Sequence, residues 1–214
     1  MNPRLGLIDY GMGNLHSVEL AFKRLQKALK PVRSPCDLTQ CDALILPGVG
    51  AFDPAMAQLK KTQLVPDLKD WCKEGKPLLG ICLGLQLLFE SSDEGSSEGL
   101  GILKGSVQKL PKNQGERIPH MGWAPLNQKN PCPLLNDQEC SSKWMYFVHS
   151  YAAFPKDICD LAATTPFGKK DVTAIVWKER LGACQFHPEK SSKAGQKMLG
   201  NWLKWLESGA EPPT

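Results

Sequence analysis

The first half of the chain alternates between two hydrophobic patterns. Three short apolar runs are typical of buried strands, and each leads into a turn, a glycine-rich loop or a helix; they are RLGLID (4–9), DALILPGVG (42–50) and KPLLGI (76–81). Apolar residues at helical spacing follow each run. Strands that alternate with helices predict a parallel sheet that is covered by helices on both faces.

The predicted helices have recognisable ends. The first spans residues 15–28, with Asn14 as its N-cap and Pro31 as the residue that stops it. The second is interrupted near Pro66. The third, LGLQLLFES (83–91), starts directly from the third strand.

The second half favours shorter strands. Four segments have this pattern: GILKGSVQKL (101–110), HMGWAPL (120–126), KWMYFVHSYAAF (143–154) and DVTAIVWKERLGACQF (171–186). We expect them to add antiparallel strands to the sheet or to form a small flanking sheet. Near the C-terminus, Ala194, Met198, Trp202 and Leu206 share one helical face, which predicts a terminal helix packed back on the sheet. The expected class is therefore α/β, with a mostly parallel central sheet.

Composition narrows the protein class. The chain has 214 residues, of which 42% are hydrophobic and 22% charged, which is typical of one globular domain spanning 1–214. A net charge of +4 without a basic stripe argues against nucleic-acid binding. The opening apolar patch is too short for a signal peptide or a membrane span, so we expect a cytoplasmic protein with no membrane contact.

The eight cysteines are scattered rather than paired in a framework. Without a signal peptide, free thiols are the expected state. No Cys-x-x-Cys pair or His/Cys cluster has the spacing of a zinc site, so we expect no metal. The polar segment SSDEGSSEG (91–99) is either a solvated connection or a loop that covers a pocket.

One cysteine stands in a pattern associated with catalysis. Gly80-Ile81-Cys82-Leu83-Gly84 has the form Gly-x-nucleophile-x-Gly and lies where a buried strand meets a helix. A thiol at the amino end of a helix is more readily ionised, and the next backbone amide faces an oxyanion that forms on an attacked carbonyl. The alternative is a small buried hydrophobic residue, which most free cysteines are.

A nucleophilic thiol needs a base, and His187-Pro188-Glu189 offers one. If this stretch is extended, the imidazole and the carboxylate project from the same side, so the carboxylate orients the ring. The other histidines lie on a helix face (His16) or in strand-like segments (His120 and His149). A cysteine elbow followed by His-x-Glu predicts a Cys/His/Glu triad.

Two further features complete the predicted site. The loop at 47–50 follows the second strand and can point a second backbone N–H at the oxyanion. The alternatives are a simple turn or a phosphate-binding loop, although the residues of a P-loop are missing. Gln86 lies one helical turn after Cys82, so its amide can bind a polar substrate.

These motifs together resemble a known family. GICLGLQ (80–86), LPGVG (46–50) and QFHPEKS (185–191) are similar to the glutaminase domain of class I glutamine amidotransferases, whose fold is flavodoxin-like. Four longer stretches narrow the resemblance to the glutaminase subunits of imidazole glycerol phosphate synthases: IDYGMGNLHSVELAF (8–22), LPGVGAFDPAM (46–56), RIPHMGWAPL (117–126) and YFVHSYAA (146–153). The resemblance covers about residues 4 to 205.

The resemblance assigns a role to each site residue. It implies that Cys82 is the nucleophile, His187 the base and Glu189 its orienting partner. It places the oxyanion hole at the backbone of Leu83 and of Val49 or Gly50. It also implies that glutamine is held by Gln86 and by the backbone at 149–151, which includes Ser150 and Tyr151.

The resemblance also implies a partner. This would be a cyclase subunit, a (β/α)₈ barrel, that combines the ammonia with a phosphorylated ribosyl-formimino-carboxamide nucleotide in histidine biosynthesis. The products would be imidazole glycerol phosphate and an aminoimidazole carboxamide ribonucleotide. Asn14, Trp123 and Lys190 correspond to positions at or near that contact, and no cofactor is implied in this chain. One departure is Ala124, where the family has asparagine, and it puts one interface hydrogen bond in doubt.

Three other functions remain open from the sequence. The chain could be a glutaminase that serves a different synthase, or a cysteine hydrolase of γ-glutamyl compounds. It could also be an inactive interaction subunit, although the complete triad argues against that.

Overall fold

The computed structural model describes residues 3–112, 115–135 and 144–213. The strands within these ranges are β1 (Leu5–Ile8), β2 (Leu29–Val32), β3 (Ala43–Gly48), β4 (Leu78–Cys82), β5 (Ser91–Ser92), β6 (Gly105–Lys109), β7 (His120–Pro125), β8 (Asn127–Gln128), β9 (Trp144–His149), β10 (Tyr151–Pro155), β11 (Leu161–Phe167), β12 (Lys170–Lys178) and β13 (Leu181–Cys184). The helices are α1 (Leu15–Arg24), α2 (Pro35–Leu38), α3 (Phe52–Lys61), α4 (Leu64–Lys73), α5 (Leu83–Leu87) and α6 (Ser192–Glu207).

Eight of the strands form the central sheet, in the order β2-β1-β3-β4-β13-β12-β11-β8. The first five in this order are parallel, and β12, β11 and β8 continue the sheet antiparallel. Two smaller sheets are formed by β10-β6-β5 and by β7-β9. The predicted α/β class, with antiparallel strands added in the second half, is confirmed.

Helices cover both faces of the sheet. Successive residues of a strand point to opposite faces, so one strand contributes side chains to the core on each side. In β3, Ile45 packs in a core with side chains of α1 and α6, whereas Leu44 and Leu46 pack in a second core with α3, α4 and α5. The terminal helix was predicted correctly, and its Trp202 is fully buried against Phe22 of α1.

The first predicted helix is too long. It ends at Arg24, and Gln26 then takes a left-handed conformation (φ 58°) that a helix cannot continue through. The residues around Pro31 instead form β2, which within the described ranges is an edge strand that pairs with β1. Proline is tolerated there because one side of an edge strand needs no ladder hydrogen bonds.

Other predicted boundaries also move. The interruption between α3 and α4 is at Gln63 (φ 61°) rather than at Pro66, which lies in the first turn of α4, where proline is tolerated. The helix after Cys82 ends at Leu87 and not at residue 91. The last predicted strand segment divides at Glu179 (φ 52°) into β12 and β13, and β11 was not predicted at all.

The seven cysteines in the described ranges are free thiols, as expected; Cys140 lies outside those ranges. Among the helices of the described chain, none is both long and apolar enough to cross a membrane.

Candidate active site

Cys82 is the last residue of β4 and immediately precedes α5. Its backbone (φ 55°, ψ −111°) lies in a region that residues with a side chain rarely adopt. The residue is buried, with 7% of its surface exposed. Such strain persists only where the surrounding structure enforces it, and it is concentrated at functional sites. The predicted elbow is therefore present.

Gly84 makes the elbow possible through close packing. A Cβ atom at this position would lie 1.8 Å from the carbonyl oxygen of Leu46, so no larger residue fits. The glycine lets α5 approach β3, which pairs with β4 so that Gly48 is opposite Cys82. The loop that follows β3 is thereby placed beside the thiol.

His187 and Glu189 contact each other as predicted, but in a different backbone conformation. The imidazole Nδ1 lies 2.7 Å from Glu189 Oε1, and both side chains are almost completely buried. Residues Pro188–Lys190 form a 3₁₀ turn, so the contact is made without the extended stretch that would have placed both side chains on one side. His187 itself is extended (φ −104°, ψ 94°) and lies immediately before this turn, whose second residue is Glu189.

Hydrogen bonds to β9 hold this turn in place. The His187 amide donates to the Tyr146 carbonyl at 3.0 Å, and Ser191 Oγ donates to the His187 carbonyl at 2.6 Å. The Tyr146 amide in turn donates to Ser191 Oγ at 2.9 Å. The position of the imidazole is thus fixed by the main chain on both sides.

The triad favours a charged imidazole. Burial lowers the pKa of His187, but hydrogen bonds with Cys82 and Glu189 outweigh burial and raise it to about 10. The imidazole of His187 therefore carries a positive charge at neutral pH. Glu189 Oε2 is buried and has no hydrogen-bond partner within the described part of the chain.

A cavity of about 300 Å³ opens beside Cys82. This volume is at the lower end of the range for small-molecule sites and suits a ligand the size of an amino acid. The lining residues come from six segments: Val49, Gly50, Cys82, Leu83, Gln86, Glu94, Pro119, Val148, His149, Ser150, Tyr151 and His187. All residues predicted for the oxyanion hole and the glutamine site line this cavity, as do Cys82 and His187 of the triad. Glu189 does not line it.

A buried tyrosine holds the end of β3, from which the loop at 49–50 continues. Tyr10 Oη donates to the Pro47 carbonyl at 2.9 Å, and Gly50 has a positive φ of 100° that favours glycine. On the other side of the thiol, Leu83 is the first residue of α5, so its amide has no acceptor within that helix. Both groups expected to form an oxyanion hole border the cavity.

The polar loop at 91–99 borders the cavity as well. Glu94 lines it and accepts a hydrogen bond from the Phe52 amide at 2.9 Å, while Asp53 accepts from the amides of Ser96 and Ser97. Of the two interpretations of this loop, the structure favours the one that places it over a pocket.

The family model for class I glutamine amidotransferases matches residues 6–205, nearly the whole chain. The chain belongs to this family. It is 71% identical, over 99% of each chain, to imidazole glycerol phosphate synthase subunit HisH 2 of Prochlorococcus marinus (strain MIT 9313). It is 64% identical, again over 99% of each chain, to the HisH subunit of Synechococcus sp. (strain CC9605).

Solved structures agree on the fold. A chain in the structure of PurLQS from Thermotoga maritima superimposes with a TM-score of 0.73 at 21% identity, covering 96% of this chain and all of that one. A crystal structure of glutamine amidotransferase superimposes with a TM-score of 0.72 at 20% identity, covering 92% of this chain and 98% of that one.

Gln86 of this amidotransferase is oriented more strictly than the sequence suggested. Its Nε2 donates to the Tyr151 carbonyl and to Gln185 Oε1, both at 3.1 Å. Because these bonds use both amide hydrogens, only Oε1 is left to contact a ligand. Gln86 is therefore suited to accept a hydrogen bond from the substrate.

His149 is a neutral structural histidine and is not the base. Its Nδ1 lies 2.8 Å from the Tyr151 carbonyl, so this nitrogen carries the proton, and its Nε2 accepts from His120 Nδ1 at 3.2 Å. Burial lowers the pKa of His149 to about 3. The two rings are adjacent because His120 of β7 pairs directly with His149 of β9.

Sequence reasoning missed Tyr10 and Gln185 and gave His120 no role. Tyr10 lies in the first loop, and Gln185 lies two residues before His187 in the QFHPEKS motif. A buried glutamine beside a candidate base was the available signal, since a buried amide needs hydrogen-bond partners.

The residues expected at the partner contact are exposed. Asn14 caps α1 by accepting from the Ser17 amide at 3.3 Å, Trp123 is 49% exposed on β7, and Lys190 projects from the 3₁₀ turn. Both α1 and β9 pack against that turn, and β9 pairs with β7, the strand that carries Trp123. Ala124, by contrast, is buried in the core.

Proposed function

We propose that this chain hydrolyses the side-chain amide of L-glutamine to L-glutamate and ammonia, with Cys82 as nucleophile, His187 as general acid and base, and Glu189 as the group that orients the imidazole. The observation that carries the proposal is that Cys82 and His187 line one cavity, with the thiol on a strained elbow and Glu189 Oε1 2.7 Å from Nδ1 of the His187 ring. The presence of all three triad side chains supports a working enzyme over an inactive interaction subunit.

In the first half of the reaction, the Cys82 thiolate attacks the side-chain amide carbon of glutamine. The carbonyl oxygen becomes an oxyanion, which the amide of Leu83 and that of Val49 or Gly50 stabilise by hydrogen bonds. The His187 imidazolium then donates its proton to the amide nitrogen, and the carbon–nitrogen bond breaks. Ammonia leaves, and a thioester links Cys82 to the glutamyl group.

In the second half, His187 is neutral and accepts a proton from water, which attacks the thioester carbon. The same two amides stabilise the second oxyanion. Collapse of this intermediate breaks the carbon–sulfur bond and releases glutamate, and the thiolate and imidazolium are restored. Glu189 holds the ring in the tautomer and orientation that both steps require.

The cavity walls hold the rest of the glutamine molecule. Gln86 Oε1 accepts from the substrate, and the backbone at Ser150 and Tyr151 provides further polar contacts. This backbone is fixed, since the Ser150 carbonyl accepts from the Leu110 amide at 2.9 Å and the Tyr151 carbonyl accepts two side-chain hydrogen bonds.

The ammonia is supplied to the cyclase subunit of imidazole glycerol phosphate synthase, with which the chain forms a heterodimer. The high identity to HisH subunits over the full length supports this partner over a different synthase or a γ-glutamyl hydrolase. The cyclase makes imidazole glycerol phosphate and an aminoimidazole carboxamide ribonucleotide in histidine biosynthesis. The surface around Asn14, Trp123 and Lys190 is the proposed contact.

The chain is proposed to act as one amidotransferase domain over residues 1–214, in the cytoplasm. Free thiols in the described ranges and the biosynthetic role of the relatives support that location.

The test is glutamate release from glutamine by three mixtures: the chain alone, the chain with the cyclase, and the chain with the cyclase and its nucleotide. We expect low activity alone and strong stimulation in the third mixture. The control is Cys82→Ala, which removes the nucleophile and should abolish release. Activity that survives this substitution would refute the mechanism, and equal rates in all three mixtures would refute the partner.

A further inference from the structure

Gln185 lies beside the nucleophile but has no part in the mechanism above. It is fully buried between the end of β13 and the turn that follows His187. Its backbone N–H donates to the Ala174 carbonyl at 2.9 Å. Its side-chain Nε2 is 3.9 Å from Cys82 Sγ, a long contact at the outer limit for a sulfur acceptor.

The direction of the Gln185 amide is fixed by its neighbours. The Tyr151 carbonyl only accepts hydrogen bonds, so the group of Gln86 that faces it must be the amide nitrogen. That nitrogen also donates to Gln185 at 3.1 Å, so the atom of Gln185 that faces it must be the oxygen. The nitrogen of Gln185 is therefore left to face the sulfur.

His149 and His120 extend this arrangement to the two-stranded sheet. His149 donates to the same Tyr151 carbonyl, and His120 donates to His149. The carbonyl thus accepts two side-chain hydrogen bonds, one from Gln86 and one from His149. Reversing either glutamine amide would place two oxygens or two nitrogens against each other, which is unfavourable in a buried site.

An N–H dipole aimed at sulfur favours the thiolate over the thiol, because the low polarity around a buried group strengthens electrostatic interactions. Among the described residues, His187, Tyr10 and Cys184 are titratable groups that interact with Cys82. Of these three groups, His187 alone carries a positive charge. The side-chain amide of Gln185 is a neutral donor, and its effect on the sulfur adds to that of His187.

We propose that Gln185 is a positioning residue that directs its amide N–H at Cys82 Sγ and stabilises the thiolate, with its orientation fixed through Gln86 by the Tyr151 carbonyl. The proposal rests on the proposed function in that Cys82 is the nucleophile. It concerns the state of the thiol, however, which can be measured without glutamine or a partner subunit.

The test is the rate of Cys82 alkylation by iodoacetamide as a function of pH, followed by mass spectrometry of the peptide that contains Cys82. Gln185→Met keeps the approximate length of the side chain and removes the donor. We expect the midpoint of the pH profile to rise by about one unit, which corresponds to a tenfold weaker preference for the thiolate. Gln185→Glu replaces the donor with a carboxylate and should raise the midpoint as well.

Turnover of glutamine by the full complex gives a second measurement. Loss of the donor should lower kcat about tenfold in both variants. KM should rise mainly in Gln185→Met, because this variant also removes the oxygen that orients Gln86, whereas Gln185→Glu retains an acceptor there.

The matched control is Gln196→Met. Gln196 also donates through its side-chain amide, to the Ala21 carbonyl at 2.9 Å, but it lies on α6. It should leave the alkylation profile unchanged. A wild-type midpoint in a folded Gln185→Met protein, or in Gln185→Glu if only that variant folds, would overturn the proposal. If the midpoint shifts in the variants but the wild-type chain releases no glutamate even in the full complex, the proposed function is overturned and the role of Gln185 is not.

Discussion

Acid should destabilise this protein through His149. Burial lowers the pKa of this histidine from 6.5 to about 3, and its proton on Nδ1 is already donated to the Tyr151 carbonyl. Protonation would charge Nε2, which accepts from His120 in the folded state. The unfolded chain binds a proton near pH 6.5, whereas the folded chain does not until about pH 3. Stability from this group is therefore present above pH 6.5 and is lost as the pH falls.

The magnitude follows from the two pKa values. Between pH 7 and pH 5 the folded ring stays neutral, while the unfolded ring goes from mostly neutral to almost fully protonated. The difference in proton binding lowers the free energy of unfolding by about 2 kcal/mol over this interval. His187 also titrates, but with a pKa raised to about 10 it remains protonated in the folded state at both pH values.

The assay is urea unfolding at pH 7, 6 and 5 for the wild type and His149→Asn. Asparagine retains a donor near the position of Nδ1 but does not titrate. The free energy of unfolding of the variant should fall with pH by about 2 kcal/mol less than that of the wild type. Because His187 is present in both proteins, its contribution cancels in the comparison.

His16→Asn is the control, since this histidine is exposed on α1. It should reproduce the pH dependence of the wild type. If wild type and His149→Asn lose stability in parallel between pH 7 and 5, the argument that burial keeps His149 neutral is wrong.

Three substitutions test other contacts. Gly84→Ala should force α5 away from β3 and cost about 1–3 kcal/mol or more of the free energy of unfolding, measured in urea. Tyr10→Phe removes the buried hydrogen bond to the Pro47 carbonyl; we expect a loss of about 1–3 kcal/mol in the same measurement and slower glutamate release. Glu189→Gln removes the charge that raises the pKa of His187, so kcat should fall about 10²-fold and NMR should find that pKa below 10.

Local patterns in the sequence predicted the fold class and the centre of the site. The elbow at Cys82 was predictable because strain, glycines and helix start are all encoded within five residues. Its placement beside the loop at 47–50 followed from the rule that neighbouring parallel strands end at the same edge. In the structure, Gly48 at the end of β3 lies opposite Cys82 at the end of β4, as that rule predicts.

Boundaries were less predictable because they depend on conformations that composition does not reveal. Gln26 and Gln63 end or interrupt helices with positive φ, although glutamine is a good helix former. The 3₁₀ turn after His187 depends on hydrogen bonds to Tyr146 in β9, about forty residues away in sequence. Tertiary contacts therefore override local preference at these positions.

The polar contacts around the thiol could not be predicted for a related reason. Gln86 and Gln185 are 99 residues apart, and only the pairing of β4 with β13 brings them together. Which end of each amide faces the sulfur is then decided by the Tyr151 carbonyl, a main-chain group that every residue possesses. A sequence identifies the glutamines, but the direction of their hydrogen bonds exists only once the strands are assembled, so the electrostatics of Cys82 depend on the sheet as much as on the elbow.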